Sequence, residues 1–93
     1  MSEIKEQKIP KWFDGSVYTE GSEVRNPFSG ETYELNAIEL SMYDFIMGSQ
    51  HFFALHQETQ PNKDIDKKLI NDFDKALSWF KTNNTKAYMV LLD

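Results

Sequence analysis

One segment constrains this chain more than any other. From Asn36 to about Gln57 the sequence reads as a single long helix with an apolar surface on most sides. Asn36 is a capping residue, Glu39 stands three positions on at capping-box spacing, and Leu35 and Leu40 occupy the two positions of a hydrophobic staple. At about 100° per residue, Ile38, Met42, Phe45, Ile46, Phe52 and Phe53 share one broad face, with Ser49 among them. A second strip holds Leu40, Tyr43, Met47 and Ala54, and only Glu39, Gln50 and Gln57 part the two. Ser41, Asp44, Gly48 and His51 make the remaining face. Such a helix is expected to be the core, so the rest of the chain must wrap it.

The flanking segments supply the wrapping. Residues 1–10 are polar, end at Pro10 and read as a flexible tail, followed by the aromatic pair Trp12-Phe13. Asp14-Gly15, Glu20-Gly21 and the stretch from Asn26-Pro27 to Ser29-Gly30 are turn signals. Between them run Ser16 to Thr19, Glu23 to Arg25 and Glu31 to Leu35, carrying the strand formers Val17, Tyr18, Thr19, Val24, Thr32 and Tyr33. They predict an antiparallel sheet of two or three strands, too small to stand without a helix. Asp64 is placed to cap a second helix from about 65 to 82, on which Leu69, Ile70, Phe73, Ala76, Leu77 and Phe80 form one stripe. Trp79 lies outside that stripe. Asn83-Asn84 ends the helix, and Thr85 is expected to cap a short helix through 87–92, although periodicity leaves a strand open there. The fold class is α+β, with residues 11–93 as one domain.

Composition narrows the function classes. The chain has 93 residues, which fits a single domain, and 40% are apolar and 14% aromatic, enough for a packed core. It contains no cysteine, so disulfides, thiolate metal sites and cysteine nucleophiles are excluded. No apolar run reaches the roughly 20 residues that a membrane span needs, so no membrane partner is expected. The opening residues MSEIKEQK are charged and lack the apolar stretch of a secretory leader. The formal charge is −5, and between Trp12 and Asp44 seven acids face one base, Arg25. With a single arginine and lysines interleaved with acids, the footprint argues against nucleic acid as a partner. The acidic segment fits either plain solubility or a surface for a basic partner.

No catalytic constellation emerges. His51 and His56 stand about 140° apart on a helix, and Asp44 and His51 lie about 10 Å apart along its axis, so neither pair makes a ready metal or acid–base site. Phosphate-cradling loops and nucleophile motifs are absent. No cofactor, metal ligand or catalytic residue is assigned, and the chain is not expected to be an enzyme. A small metal-dependent activity using Asp44 and His51 is the weakest alternative. Asn26-Pro27-Phe28-Ser29-Gly30 resembles a zinc knuckle with Asn and Ser in place of both cysteines, and reads instead as a tight turn in which Asn and Ser cap backbone groups, with Phe28 at its tip either tucked into the core or exposed as a contact. Gly48 in mid-helix costs about 1 kcal/mol relative to alanine, so close approach of another backbone, from the same chain or a second copy, is expected there. Trp79 is either covered by the terminal run or exposed as an interface anchor. Met47, Gly48, His51 and Trp79 are therefore the candidate protein-interface residues.

With those residues in view, the chain resembles a family of small proteins encoded by bacteriophages of aquatic bacteria. The resembling segments are Lys11-Trp12-Phe13, NPFSGE at 26–31, ELSMYDFIMG at 39–48 and AYMVLLD at 87–93. The resemblance implies a phage origin, in the host-cell cytoplasm or the virion, and carries over no functional residue. The expected function is a non-enzymatic phage accessory protein that binds a protein partner, with a second copy of itself in a homodimer as one candidate. A minor virion or assembly component is the structural alternative.

Overall fold

The computed structural model describes residues 8–92. Most of the segment read as a tail, 1–7, lies outside the described residues, as does residue 93. Ile9 and Trp12 already pack against the core, so the chain is anchored from there onward.

The elements run β1 (Ser22–Arg25), β2 (Thr32–Leu35), α1 (Ala37–Thr59), α2 (Lys67–Asn83) and α3 (Thr85–Leu91). The fold is α+β: one two-stranded antiparallel sheet with a long helix, an amphipathic helix and a short C-terminal helix. Strand register pairs Ser22 with Leu35, Glu23 with Glu34, Val24 with Tyr33 and Arg25 with Thr32. Alternation turns Val24, Tyr33 and Leu35 inward and leaves the charged residues outside. A side chain on Gly21 would collide with the carbonyl oxygen of Leu35, so only glycine lets the two backbones close at this end of the hairpin.

The run Ser16–Thr19 is not a third strand. Its Tyr18 N–H donates instead to Ser41 Oγ on α1 at 2.9 Å, and Ser41 passes the bond on to Ala37 O at 2.8 Å. Strand propensity loses here because a helix hydroxyl, not a neighbouring strand, satisfies the backbone.

The capping box that opens α1 is complete. Asn36 Oδ1 accepts from Glu39 N–H at 2.8 Å, and Asn36 N–H donates to Glu39 Oε1 at 3.0 Å. The start of α2 differs from expectation by two residues: Asp66, not Asp64, is the cap, accepting from Lys68 N–H at 2.9 Å. The chain before it is still turning, with Lys63 N–H bonded to Gln60 O. The cap of α3 is also corrected. Thr85 Oγ1 donates backward to Lys81 O at 2.7 Å, which leaves Asn84 Oδ1 to accept from Ala87 N–H at 3.1 Å.

The core gathers Phe13, Leu35, Met42, Ile46, Ala76, Phe80, Ala87 and Leu91. It sits over the first half of α1 only. Past Ser49 the helix loses its covering layers: Phe52 and Leu55 are 44% and 50% exposed. The expectation that α1 is buried on most sides therefore holds for one half of it. The distal half meets α2 through Phe53 and Phe73, whose rings pack edge-on at 5.2 Å. The chain measures 52 × 32 × 21 Å, elongated because α1 alone spans about 34 Å.

Candidate functional site

The turn between β1 and β2 is built around Asn26, which is 9% exposed. Asn26 Oδ1 accepts from Phe28 N–H at 2.8 Å and from Ser29 N–H at 3.3 Å, while Ser29 Oγ accepts from Glu31 N–H at 3.2 Å. Asn26 Nδ2 donates to Val90 O on α3 at 2.9 Å, so the turn is tied to the far end of the domain. Gly30 supplies the positive φ of +80° that closes it. The reading of Asn and Ser as caps is correct. Of the two places open to Phe28, it takes the surface and not the favoured core: Phe28 is 97% exposed. Asn26 fills the inner side of the turn, and the loop carries Phe28 out beyond the sheet. Glu23, Glu31 and Glu34 are exposed on the same hairpin, with Arg25 as its one cation.

Gly48 is exposed, and a methyl group added there would meet nothing within 4 Å. The expected close approach of another backbone from the same chain is absent. Instead Gly48 lines a groove of about 320 Å³ with Asp44, Phe45, Ser49 and Phe52 of the same helix. Leu69 of α2 and the Gly15-Ser16 segment close the groove's other sides. Asp44 is its one charged lining residue. The Asp44 carboxylate holds the Tyr18 phenol above its usual ionisation range, chiefly by its charge, with slight burial and a side-chain hydrogen bond adding to the effect.

Met47 is half-buried and His51 exposed on the same stretch of α1; neither lines the Gly48 groove. Asp44 and His51 are not brought into one pocket. Among the described residues no group of three or more metal-ligating side chains occurs. Trp79 is half-buried and packs against the core, its ring edge-on to Phe80 at 6.3 Å. Met89 of the terminal run is 61% exposed. Trp79 shares a shallow groove of about 470 Å³ with Trp12 and Lys75, well separated in its lining from the Gly48 groove. The four candidate interface residues thus fall on at least two different surfaces.

A further groove lies beside Trp12, where Lys68 donates to Asp14 at 2.8 Å and to Asp72 at 2.6 Å. Those two bonds push the Lys68 ammonium well above the ordinary lysine range and neutralise the buried Asp72. This cluster is internally satisfied, and its role is to fasten the N-terminal segment to α2.

Sequence reasoning passed over Ser49 as a site residue. The signal for Ser49 was present: a serine stands within the apolar face of α1. Phe28 had no local signal beyond its place at the centre of a turn.

Compared with known proteins, the chain matches no family model, no curated protein and no solved structure. No helix among the described residues is long and apolar enough to cross a membrane.

Proposed function

We propose that this chain is a non-enzymatic interaction protein that docks on a protein partner through the tip of its β1–β2 hairpin. The observation that carries the reading is Phe28, 97% exposed on a turn whose every bond to Asn26 keeps it rigid. A large apolar side chain held in water by an ordered loop loses little entropy on binding and gains its full burial. Glu31 beside the turn, with Glu23 and Glu34 paired further down the same hairpin, favours a partner whose apolar pocket is rimmed by lysine or arginine. Trp79, beside Trp12, is a second candidate contact. The phage setting, in host cytoplasm or virion, follows the resemblance of the segments quoted above and is proposed with it.

The test uses the full chain as bait in host lysate, in parallel with Phe28→Ser and Phe28→Leu. A protein captured by the wild type, lost with serine, retained with leucine and released as salt is raised supports the reading. Identical capture by wild type and the serine variant overturns the hairpin as the docking element.

A further inference from the structure

The Gly48 groove contains a hydroxyl that the fold leaves unused. Ser49 is 4% exposed. Its neighbours on the same helix bond back to carbonyls, as Ser41 does to Ala37 O, but Ser49 makes no hydrogen bond within the described residues. No sealed side-chain oxygen or nitrogen among the described residues lacks a partner, so the Ser49 oxygen is reached from the groove rather than shut in. Because that oxygen opens onto the groove, a ligand that enters can take up a hydrogen bond the helix itself does not use.

Two other features of the groove agree with a ligand. Asp44 is its one charged lining residue, so the groove favours a cation. Gly48 weakens α1 without admitting another backbone, and any larger side chain there would project into the groove. Its volume of about 320 Å³ lies at the small end for ligand sites, and Phe45, Phe52 and Leu69 provide apolar walls. Asp44 and Ser49 stand on the two flanks of the groove, about 7.5 Å apart along the helix axis and about 140° around it, so an occupant that meets both lies across Phe45 and Phe52 and is longer than the axial rise.

We propose that this groove binds a small organic ammonium compound: the cation pairs with Asp44, a short apolar stem lies against Phe45, Phe52 and Leu69, and a second hydrogen-bonding group reaches Ser49. This site is separate from the hairpin tip.

Tyramine is the probe, because a phenol and an ammonium stand at the two ends of one short stem. The isotope-labelled full chain is titrated with tyramine and followed by amide NMR. Saturable shifts centred on Gly48 and Ser49 are expected. The neutral analogue tyrosol, which carries a hydroxyl in place of the ammonium, should bind roughly tenfold or more weakly, and Asp44→Asn should weaken tyramine to a similar extent. Removing the phenol, as in 2-phenylethylamine, should weaken binding about fivefold in the wild type but not in Ser49→Ala. Gly48→Leu, which fills the groove, should abolish the shifts, whereas Phe28→Ser should leave them unchanged. Should the leucine variant fail to fold, the tyrosol comparison and Asp44→Asn still decide. The proposal is overturned by the absence of saturable shifts at Gly48 and Ser49, or by equal binding of tyramine and tyrosol. It is also overturned if N-acetyl-lysinamide binds more tightly than tyramine, which would make the groove a seat for a partner's lysine.

Discussion

Asn84 Nδ2 donates to Glu39 Oε2 at 2.9 Å, joining two residues 45 positions apart. The bond connects the start of α1 to the junction of α2 and α3. Each partner has a second task. Glu39 Oε1 accepts from the Asn36 backbone in the capping box, and Asn84 caps α3 with its side chain while its own N–H closes α2 on Phe80 O. One amide and one carboxylate thereby fix the meeting point of three helices.

Asn84→Ala should cost about 1–3 kcal/mol, since it removes the α3 cap and a hydrogen bond to the buried Glu39 carboxylate together. Urea unfolding followed by circular dichroism checks this. Asn84→Asp keeps the cap but sets a second carboxylate beside Glu39, so its loss should shrink under acid, where carboxylates protonate.

The two glycines Gly48 and Gly21 should respond in opposite directions to alanine. Gly48→Ala should stabilise the chain by up to about 1 kcal/mol, because a methyl group there meets open space and alanine is the better helix former. Gly21→Ala should destabilise it, because the methyl runs into the Leu35 carbonyl. Thermal unfolding of both variants gives the comparison.

Tyr18 should lose its phenolic proton at higher pH than a free tyrosine, whose value is 10.0. Asp44→Asn should return it toward that value. Tyr43 is also raised, through burial, and should not respond to the substitution. Because the folded state raises the Tyr18 pKa, its contribution to stability is complete below pH 10 and is lost as pH climbs above it. Absorbance titration of the phenolates at alkaline pH, with and without the substitution, follows each group.

Phe28→Ser should leave stability within about 0.5 kcal/mol of wild type, since the ring touches water on nearly all sides. Asn26→Ala, two residues away, should cost about 1–3 kcal/mol, because it breaks the link to Val90 and the turn bonds together. A large loss for the Phe28 variant would show that the ring is packed in solution.

Features encoded within a few residues were legible in the sequence, and those set by distant neighbours were not. The Asn36–Glu39 capping box, the stop at Asn84 and the Asn-Ser turn each depend on groups three or four positions apart. The Ser16–Thr19 run was misread because its backbone partner, Ser41, lies 23 positions beyond Tyr18. Asp64 and Asp66 are equally good caps by composition, and only the turn at Gln60–Lys63 decides between them. For the candidate sites, helical geometry placed Gly48 and Asp44 on one face of α1, but the opposite wall comes from Gly15, Ser16 and Leu69. No periodicity within α1 reports that wall, nor the exposure of Phe28.

The core draws on both ends of the chain: Phe13 and Leu35 from the first part meet Ala87 and Leu91 from the last, and Asn26 hangs on the Val90 carbonyl. During synthesis, therefore, a nascent chain still held short of Leu91 cannot complete its interior. Without α3 the core lacks Ala87 and Leu91, and the hairpin turn lacks the Val90 carbonyl that Asn26 holds. Truncation before Ala87 should therefore remove the last part of the core and the anchor of the hairpin turn in one step.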